Sequence, residues 1–108
     1  MLVNSVAHKD GKKVADIAQE EIHTWLARND GILWVAVRDP EPHELEKLEQ
    51  QFDLHPLAVE DARHGHQRPK FEEYGDSLFF VLHMLEPDGD ELRVGEVDIF
   101  VARNYVLS

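Results

Sequence analysis

The first part of the chain carries a strand-like hydrophobic pattern and then a helical one. Residues Leu2 to Ile17 alternate loosely around Lys9-Asp10-Gly11-Lys12, in which Asp-Gly is typical of a hairpin turn, so we predict two paired strands. From Ala18 to Arg28 the apolar residues recur at helical spacing, and Asn29-Asp30-Gly31 is expected to end that helix. Its apolar positions are Ala18, Ile22, Trp25 and Leu26.

A buried strand and another helix follow. The unbroken apolar run Ile32 to Val37 predicts a strand covered on both faces, and hence a layered arrangement of helices and strands. Asp39 is expected to cap the next helix, whose first turn tolerates Pro40 and Pro42 because amide protons there have no intrahelical acceptor. The apolar stripe of this helix is Leu45, Leu48 and Phe52.

A shorter helix is predicted from Pro56 to Arg63, ending near Gly65. Leu54 and Val59 occupy the two positions of a hydrophobic staple, which would fix the angle at which the chain enters this helix.

The remainder of the chain is extended in character. A hairpin loop is expected at Glu86 to Asp90 and a tight turn at Arg103-Asn104. Both alternate faces of Leu78 to Leu82 are apolar, whereas the predicted helices can cover only one face of a sheet, so a second helical layer is missing. The predicted strands are Lys70 to Tyr74, Ser77 to Leu85, Leu92 to Ala102 and Tyr105 to Leu107. We therefore predict an α/β protein of the α+β type, with a mixed, largely antiparallel sheet.

Length and charge narrow the classes of function. The 108 residues suffice for one domain, residues 1–108, and no apolar run approaches the roughly 20 residues of a membrane-spanning helix. Eleven basic against 22 acidic residues give a net charge of −11, which disfavours nucleic acid and anionic lipid and favours cations or a basic partner. The absence of cysteine excludes disulfides and thiolate metal sites.

Two adjacent acids, Glu60 and Asp61, are the leading candidate metal ligands. Neighbouring side chains on a helix point about 100° apart, so the two carboxylates would serve two ions, or one hydrated ion through its waters. Mg²⁺ suits the second arrangement because it releases water reluctantly. Spacing alone favours a simpler alternative, in which Glu60 pairs with Arg63 or His64 and Asp61 is solvated.

His64 and His66 form a second, weaker candidate. The pair could bind Zn²⁺ with Asp61 or His55 as a third ligand, but a polar loop is the simpler interpretation. Nearby basic residues could bind phosphate, although neutralisation of the adjacent carboxylates explains them more simply. These residues are Arg63, Arg68 and Lys70.

The sequence does not indicate an enzyme. None of its few serines and its single threonine lies in a nucleophile-elbow pattern. His83, within an apolar strand, is expected to be a hydrogen-bonded core residue. The aromatic residues are assigned to the core as well: Trp25, Trp34, Phe52, Phe71, Phe79, Phe80 and Phe100.

Several of these segments together resemble a known family. Three segments follow one another along the chain: Phe52-Asp53-Leu54-His55-Pro56-Leu57-Ala58-Val59-Glu60-Asp61, His66-Gln67-Arg68-Pro69-Lys70-Phe71-Glu72-Glu73-Tyr74 and Leu78-Phe79-Phe80-Val81-Leu82. The order and distance of the HPL-x-x-ED and QRPK elements resemble the N-terminal cytosolic domain of the CorA family of magnesium transporters. Trp34, Glu96 to Val101 and Asn104 to Leu107 extend the resemblance over nearly the whole chain from about Gly31 onward.

The resemblance implies a fold, a location and partners. In that family the domain is an α/β/α sandwich on the cytoplasmic side of the inner membrane, followed by a stalk helix and two transmembrane helices, in a homopentamer. This chain would be the sensor portion, an incomplete sandwich lacking the later helical layer.

The resemblance also implies roles for the two acids. The acid matching Asp61 contributes to a regulatory Mg²⁺ site between subunits, and the acid matching Glu60 lies by a second such site. The implied function is sensing of intracellular Mg²⁺ to gate transport of Mg²⁺, with Co²⁺ and Ni²⁺ as further candidate ions. Since each residue supplies only half of a site, we expect weak Mg²⁺ binding by the isolated domain.

Three alternatives stay open. One is a Zn²⁺ transporter of the same superfamily, for which His64 and His66 are candidate ligands. Another is a free-standing soluble metal- or protein-binding module, which would use the fold without a membrane part. A hydrolase acting through Glu60, Asp61 and the nearby histidines is the weakest of the three.

Overall fold

The computed structural model describes residues 1–28 and 30–108, and its centre is a seven-stranded sheet in the spatial order β2-β1-β3-β7-β6-β5-β4. Strands β3 and β7 are parallel, and the other neighbouring pairs are antiparallel, which confirms a mixed, largely antiparallel sheet. The strands are β1 (Leu2–Lys9), β2 (Lys12–Asp16), β3 (Ile32–Val37), β4 (Lys70–Tyr74), β5 (Ser77–Asp88), β6 (Glu91–Ala102) and β7 (Tyr105–Leu107).

Three helices pack on one face of this sheet. They are α1 (Ile22–Arg28, preceded by a 3₁₀ turn at Gln19–Glu21), α2 (Pro42–Phe52) and α3 (Pro56–His64). Their apolar residues join alternate strand residues in one core, which includes Ile22, Leu45, Leu48, Phe52, Leu54, Val59, Leu33, Val35, Phe79, Val81, Phe100, Tyr105 and Leu107. Among the described residues, no helix has the length and apolar character needed to cross a membrane.

Helix α2 begins later than the sequence suggested. Its cap is Glu41, whose amide donates to Glu44 Oε1 at 3.0 Å, and the predicted cap Asp39 instead has a positive φ of 44°. The reason is Pro42, since the residue before a proline is pushed out of the helical region, and Glu41 is accordingly extended with ψ at 156°.

The predicted turns are largely confirmed. Asp10 and Gly11 join β1 to β2 with φ of 53° and 77°, as a tight hairpin requires. The helix stop predicted at Asn29-Asp30-Gly31 begins at a residue outside the described ranges, so only its later part is described. A Cβ on Gly31 would lie 2.3 Å from the carbonyl oxygen of His8, and this close approach of two backbones requires glycine.

The β5–β6 hairpin is longer than predicted. Glu86 to Asp88 continue β5, and only Gly89 and Asp90 form the turn. Within the described residues, no strand lies along the outer edge of β5 at Pro87, because β4 pairs with β5 only as far as Val81, so Pro87 breaks no ladder bond. Glu86 and Arg93 form an ion pair across the two strands.

Strand β3 was predicted to be covered on both faces, and for the described residues this is wrong. Ile32 and Trp34 on β3 are 50% and 44% exposed, while Leu33 and Val35 between them are buried. Trp34 pairs with Val106, Val106 with Val101, and Val101 with Leu78, so this open face carries an apolar row across four strands. Apolar alternation identifies surfaces that need cover, but it does not say what covers them.

Candidate functional site

Helix α3 is fixed against β4 at its first turn. Pro56 occupies the first helical position, and His55 Nδ1 accepts a hydrogen bond from the Leu57 amide at 3.2 Å. The His55 ring also stacks on Tyr74, with 4.1 Å between the ring centroids. The His-Pro-Leu element is therefore a capped helix start that is attached to the sheet.

The rotation of α3 separates the two candidate acids. Ala58 and Val59 are buried, which leaves Glu60 exposed on the far side and Asp61 on the flank nearest β4. Asp61 Oδ2 lies 2.5 Å from Lys70 Nζ, and both side chains are just over a quarter exposed. The prediction that the two carboxylates diverge agrees with this geometry, whereas the alternative of a merely solvated Asp61 does not.

A chain of polar contacts continues along β4 from Lys70. Its ammonium lies 2.7 Å from Glu72 Oε1, and the Tyr74 hydroxyl donates to Glu72 Oε2. Hydrogen bonds to Asp61 and Glu72 raise the pKa of Lys70, and the bond from Lys70 lowers the pKa of Glu72. The bond to Glu72 raises the pKa of Tyr74 to about 12. Lys70 is therefore a permanent cation held between carboxylates.

A second pair of acids lies two strands away on the same face. The register aligns Lys70 with Val81 and Val81 with Asp98, and Glu96 precedes Asp98 by one alternation. Burial, together with the neighbouring Glu96 carboxyl, raises the pKa of Asp98 to about 7. Asp98 Oδ1 is buried and has no hydrogen-bond partner within residues 1–28 and 30–108.

The loop between α3 and β4 is attached to the same acids. The Gln67 amide donates to Glu96 Oε1 at 2.8 Å, and His83 Nε2 lies 2.8 Å from the Gln67 carbonyl oxygen. His83 is hydrogen-bonded as predicted, but it is exposed, because β5 at this point extends beyond the helices. Two aromatic residues assigned to the core are also largely exposed, namely Trp34 and Phe71.

The two candidate histidines lie at the end of α3 and are both exposed. His64 Nδ1 is 2.8 Å from the Glu60 carbonyl oxygen, and His66 has a positive φ of 55°. In the part of the chain that the structure describes, no three His, Asp or Glu side chains converge as a metal site requires. A Zn²⁺ or Mg²⁺ site on these residues would therefore need ligands from elsewhere.

The chemistry of the donors fits a hydrated hard cation. Asp61 offers a carboxylate at the protein surface, and within the described residues its Oδ1 accepts no hydrogen bond. Carboxylate oxygens with several retained waters are the usual environment of Mg²⁺. Asp61 thus offers one carboxylate oxygen of the kind that such a cation binds, and Glu60 separately offers an exposed carboxylate.

Comparison with known proteins identifies the family. The model of the family described as CorA-like Mg2+ transporter protein matches residues 29–108. The chain belongs to the CorA family.

Two curated relatives match part of the chain. It is 39% identical over 75 residues to the protein named "Putative metal ion transporter YfjQ" of Bacillus subtilis, covering 69% of this chain and 23% of the relative. It is 35% identical over 65 residues to the cobalt/magnesium transport protein CorA of Thermotoga maritima, covering 58% of this chain and 18% of the relative. The chain thus spans about a fifth of the length of these relatives.

Solved CorA structures match the fold. The complete structure of the CorA magnesium transporter from Methanocaldococcus jannaschii superposes with a TM-score of 0.63 at 21% identity, over 99% of this chain and 32% of that one. The soluble domain of the same transporter gives 0.63 at 19% identity, over 96% and 38%. The α+β fold is therefore that of the CorA soluble domain.

Sequence reasoning missed most of the polar cluster beneath α3 in this CorA domain. Lys70 was expected, with Arg63 and Arg68, to neutralise the adjacent carboxylates, and its pair with Asp61 agrees with that, but Glu72, Glu96 and Asp98 were not singled out. A signal was present, because Glu96 and Asp98 alternate with Val97 and Ile99 and must share one face of the strand. Arg63 and Arg68, the other members of the patch, are exposed, and among the described ion pairs at this site only Lys70 neutralises carboxylates.

Proposed function

We propose that this chain is the regulatory portion of a Mg²⁺ channel-transporter, and not an enzyme. Asp61 and Glu60 would each contribute half of a Mg²⁺ site, and carboxylates of a neighbouring subunit in a homo-oligomer, a pentamer in the parent protein, would complete the sites. Bound Mg²⁺ would supply the positive charge that allows carboxylates of two subunits to lie together. The arrangement with bound Mg²⁺ would be a closed state of the transporter. At low Mg²⁺ the unbridged carboxylates repel one another, so this closed state is no longer favoured in free energy.

The placement of Asp61 carries this proposal. The side chain lies at the surface on a helix fixed by buried Ala58 and Val59, and it has an oxygen available for a ligand, yet among the described residues it belongs to no group of three side chains that could hold a metal ion. A complete metal site at this carboxylate would therefore need further ligands from outside the described residues. Family membership supports Mg²⁺ as the ion.

The experiment is a calorimetric and NMR titration of the 108-residue chain with Mg²⁺. We expect weak binding, with a dissociation constant on the order of millimolar or above, because one hydrated carboxylate contributes little affinity. The amide shifts of α3 should follow the titration in the wild type and be lost in Asp61→Ala. A tight, saturable site that disappears in Asp61→Ala would contradict the half-site assignment.

We propose further that the chain continues into a stalk helix and two transmembrane helices, with this domain on the cytoplasmic side of the cell membrane. The open apolar face of the sheet, including Ile32, Trp34 and Leu82, supports a later helical layer that completes the α/β/α sandwich. Reading the open reading frame beyond Ser108 tests this. A stop codon directly after Ser108 would exclude transport and favour the free-standing module.

Zn²⁺ is the second candidate ion, because His64 and His66 are exposed beside the same helix end. The same titration with Zn²⁺ separates the two ions. Shifts at the His64 and His66 rings at micromolar Zn²⁺, lost in His66→Ala, would favour a Zn²⁺ transporter of the superfamily. Co²⁺ and Ni²⁺ are tested in the same way.

A further inference from the structure

Lys70 occupies the centre of the acidic cluster beneath α3. Its Nζ lies 2.5 Å from Asp61 Oδ2 and 2.7 Å from Glu72 Oε1. The two contacts come from different elements, since Asp61 is on α3 and Glu72 is on the same strand as Lys70. Charge-assisted bonds of this kind are short and about twice as strong as neutral ones, so the ammonium is held firmly in place.

The surroundings of the Lys70 ammonium are acidic and aromatic. Asp98 and Glu96 lie on the same face of the sheet, and the Phe79 ring centroid is 6.0 Å from Lys70 Nζ. Among the described residues Lys70 is the one cation paired with Asp61 and Glu72, and its side chain is only 27% exposed. A cation in this position therefore has a lasting electrostatic effect on Asp61.

We propose that Lys70 is a tethered counter-cation of Asp61, which occupies the carboxylate when no divalent cation is bound and competes with Mg²⁺ for it. This inference rests on the proposed role of Asp61 as a Mg²⁺ ligand. A divalent ion that approaches Asp61 must either displace the ammonium from Oδ2 or bind at Oδ1 a few ångströms from a positive charge. Both routes weaken binding by Coulomb repulsion.

The competition gives the site a defined response. Binding requires a cation concentration high enough to overcome the internal ammonium, so Lys70 raises the Mg²⁺ concentration at which the site fills. When Lys70 leaves Asp61 it retains Glu72, so the link between α3 and β4 loosens as the site fills. Binding of Mg²⁺ at Asp61 thereby changes the contact between α3 and the sheet through the side chain of Lys70.

The test is a Mg²⁺ titration of the isotope-labelled chain at constant ionic strength, followed by the amide shifts of residues 60–63. Lys70→Met should lower the apparent dissociation constant about tenfold, because the competing charge is gone. Lys70→Arg retains the charge and should stay within about threefold of the wild type. In the wild type, the side-chain signals of Lys70 should shift together with the α3 amides.

Lys47→Met is the matched control, because it removes one positive charge at an exposed site on α2 and should leave the dissociation constant unchanged. An unchanged or weaker affinity in Lys70→Met, together with loss of the shifts in Asp61→Asn, would overturn the counter-cation role and leave the proposed function standing. Shifts that persist in Asp61→Asn would overturn both. If Lys70→Met and Lys47→Met lower the dissociation constant for Mg²⁺ equally, the change reflects net charge alone, and this result would also overturn the inference.

Discussion

One lysine and at least four carboxyl groups share the region beneath α3, and the charge balance differs from residue to residue. Lys70 neutralises Asp61 and Glu72 directly, at 2.5 Å and 2.7 Å. No such partner reaches Asp98, whose Oδ1 is buried and unbonded in the described structure. Because no cation of the described residues pairs with Asp98, the free-energy cost of burying its carboxyl group is lowered by protonation. This is why the pKa of Asp98 is raised to about 7.

A pH-dependent stability follows for Asp98. Its folded pKa of about 7 lies above an unfolded value near 3.9, so its contribution is fully favourable below about pH 4 and is lost as the pH rises towards 7. Asp98→Asn mimics the protonated form and should exceed wild-type stability by ~1–2 kcal/mol at pH 8, a figure discounted for partial exposure. The two proteins should be nearly equal in stability at pH 4.

Urea unfolding of both proteins from pH 4 to pH 8 measures this difference. The control is Asp88→Asn, which removes a charge at an exposed position near the hairpin turn and should give a difference that changes little with pH. A gain in Asp98→Asn that stays constant over the whole range would show that Asp98 is ionised in the folded protein throughout.

At the scale of elements, the spacing of hydrophobic residues predicted most helices and strands. It could not predict contacts between segments that are distant in sequence. The stripe Leu45, Leu48 and Phe52 and the staple positions Leu54 and Val59 are all buried, because local spacing decides which face of an element is apolar. The Lys70–Asp61 pair depends on the rotation of α3 over the edge of the sheet, which no local pattern encodes. The sequence predicted neutralisation of the carboxylates by Arg63, Arg68 and Lys70 together, and for the same reason it did not distinguish Lys70 as the partner of Asp61.

The β5–β6 hairpin has a supported part and an unsupported part. Strand β4 pairs with β5 only as far as Val81, and β7 pairs with β6 only from Phe100 onward. Beyond the His83–Glu96 pair, which contacts Gln67, the described hairpin from Met84 to Gly95 is a two-stranded arm, and on it Leu85 and Leu92 are 66% and 68% exposed. An isolated two-stranded ribbon is marginally stable in water.

Hydrogen exchange should divide this hairpin in two. Amides of the arm are expected to open with free energies ~2 kcal/mol or more below those of Phe79, Val81 and Phe100, because the arm lacks neighbouring strands and a buried face. Native-state exchange followed by NMR measures both parts of the same strands, so the inner amides serve as the control. Equal protection, dependent on protein concentration, would mean that the arm packs against another molecule.

At the scale of the whole molecule, the net charge of −11 acts on stability independently of any site. Acidic residues on α2 and at the β5–β6 turn are partly or fully exposed, so their mutual repulsion disfavours the compact state at low ionic strength. Most of this charge is thus a general field that attracts any cation. A specific Mg²⁺ effect must be separated from that field.

Salt and Mg²⁺ should stabilise the chain by two separable amounts. Raising NaCl from about 20 to about 200 mM shortens the Debye length roughly threefold and should raise the melting temperature by a few degrees. MgCl₂ at matched ionic strength should add only ~0.4 kcal/mol at a concentration equal to the dissociation constant, as expected of a weak half-site.

Asp61→Asn should remove the Mg²⁺-specific increment and retain the increment from NaCl, whereas Asp76→Asn, at an exposed turn, should retain both. Thermal unfolding curves of the three proteins in the two salts measure the increments as changes within each protein, so differences in their starting stability cancel. A Mg²⁺ increment that survives in Asp61→Asn would belong to the diffuse acidic surface. In that case net charge, and not the α3 carboxylate, would govern how this domain responds to Mg²⁺.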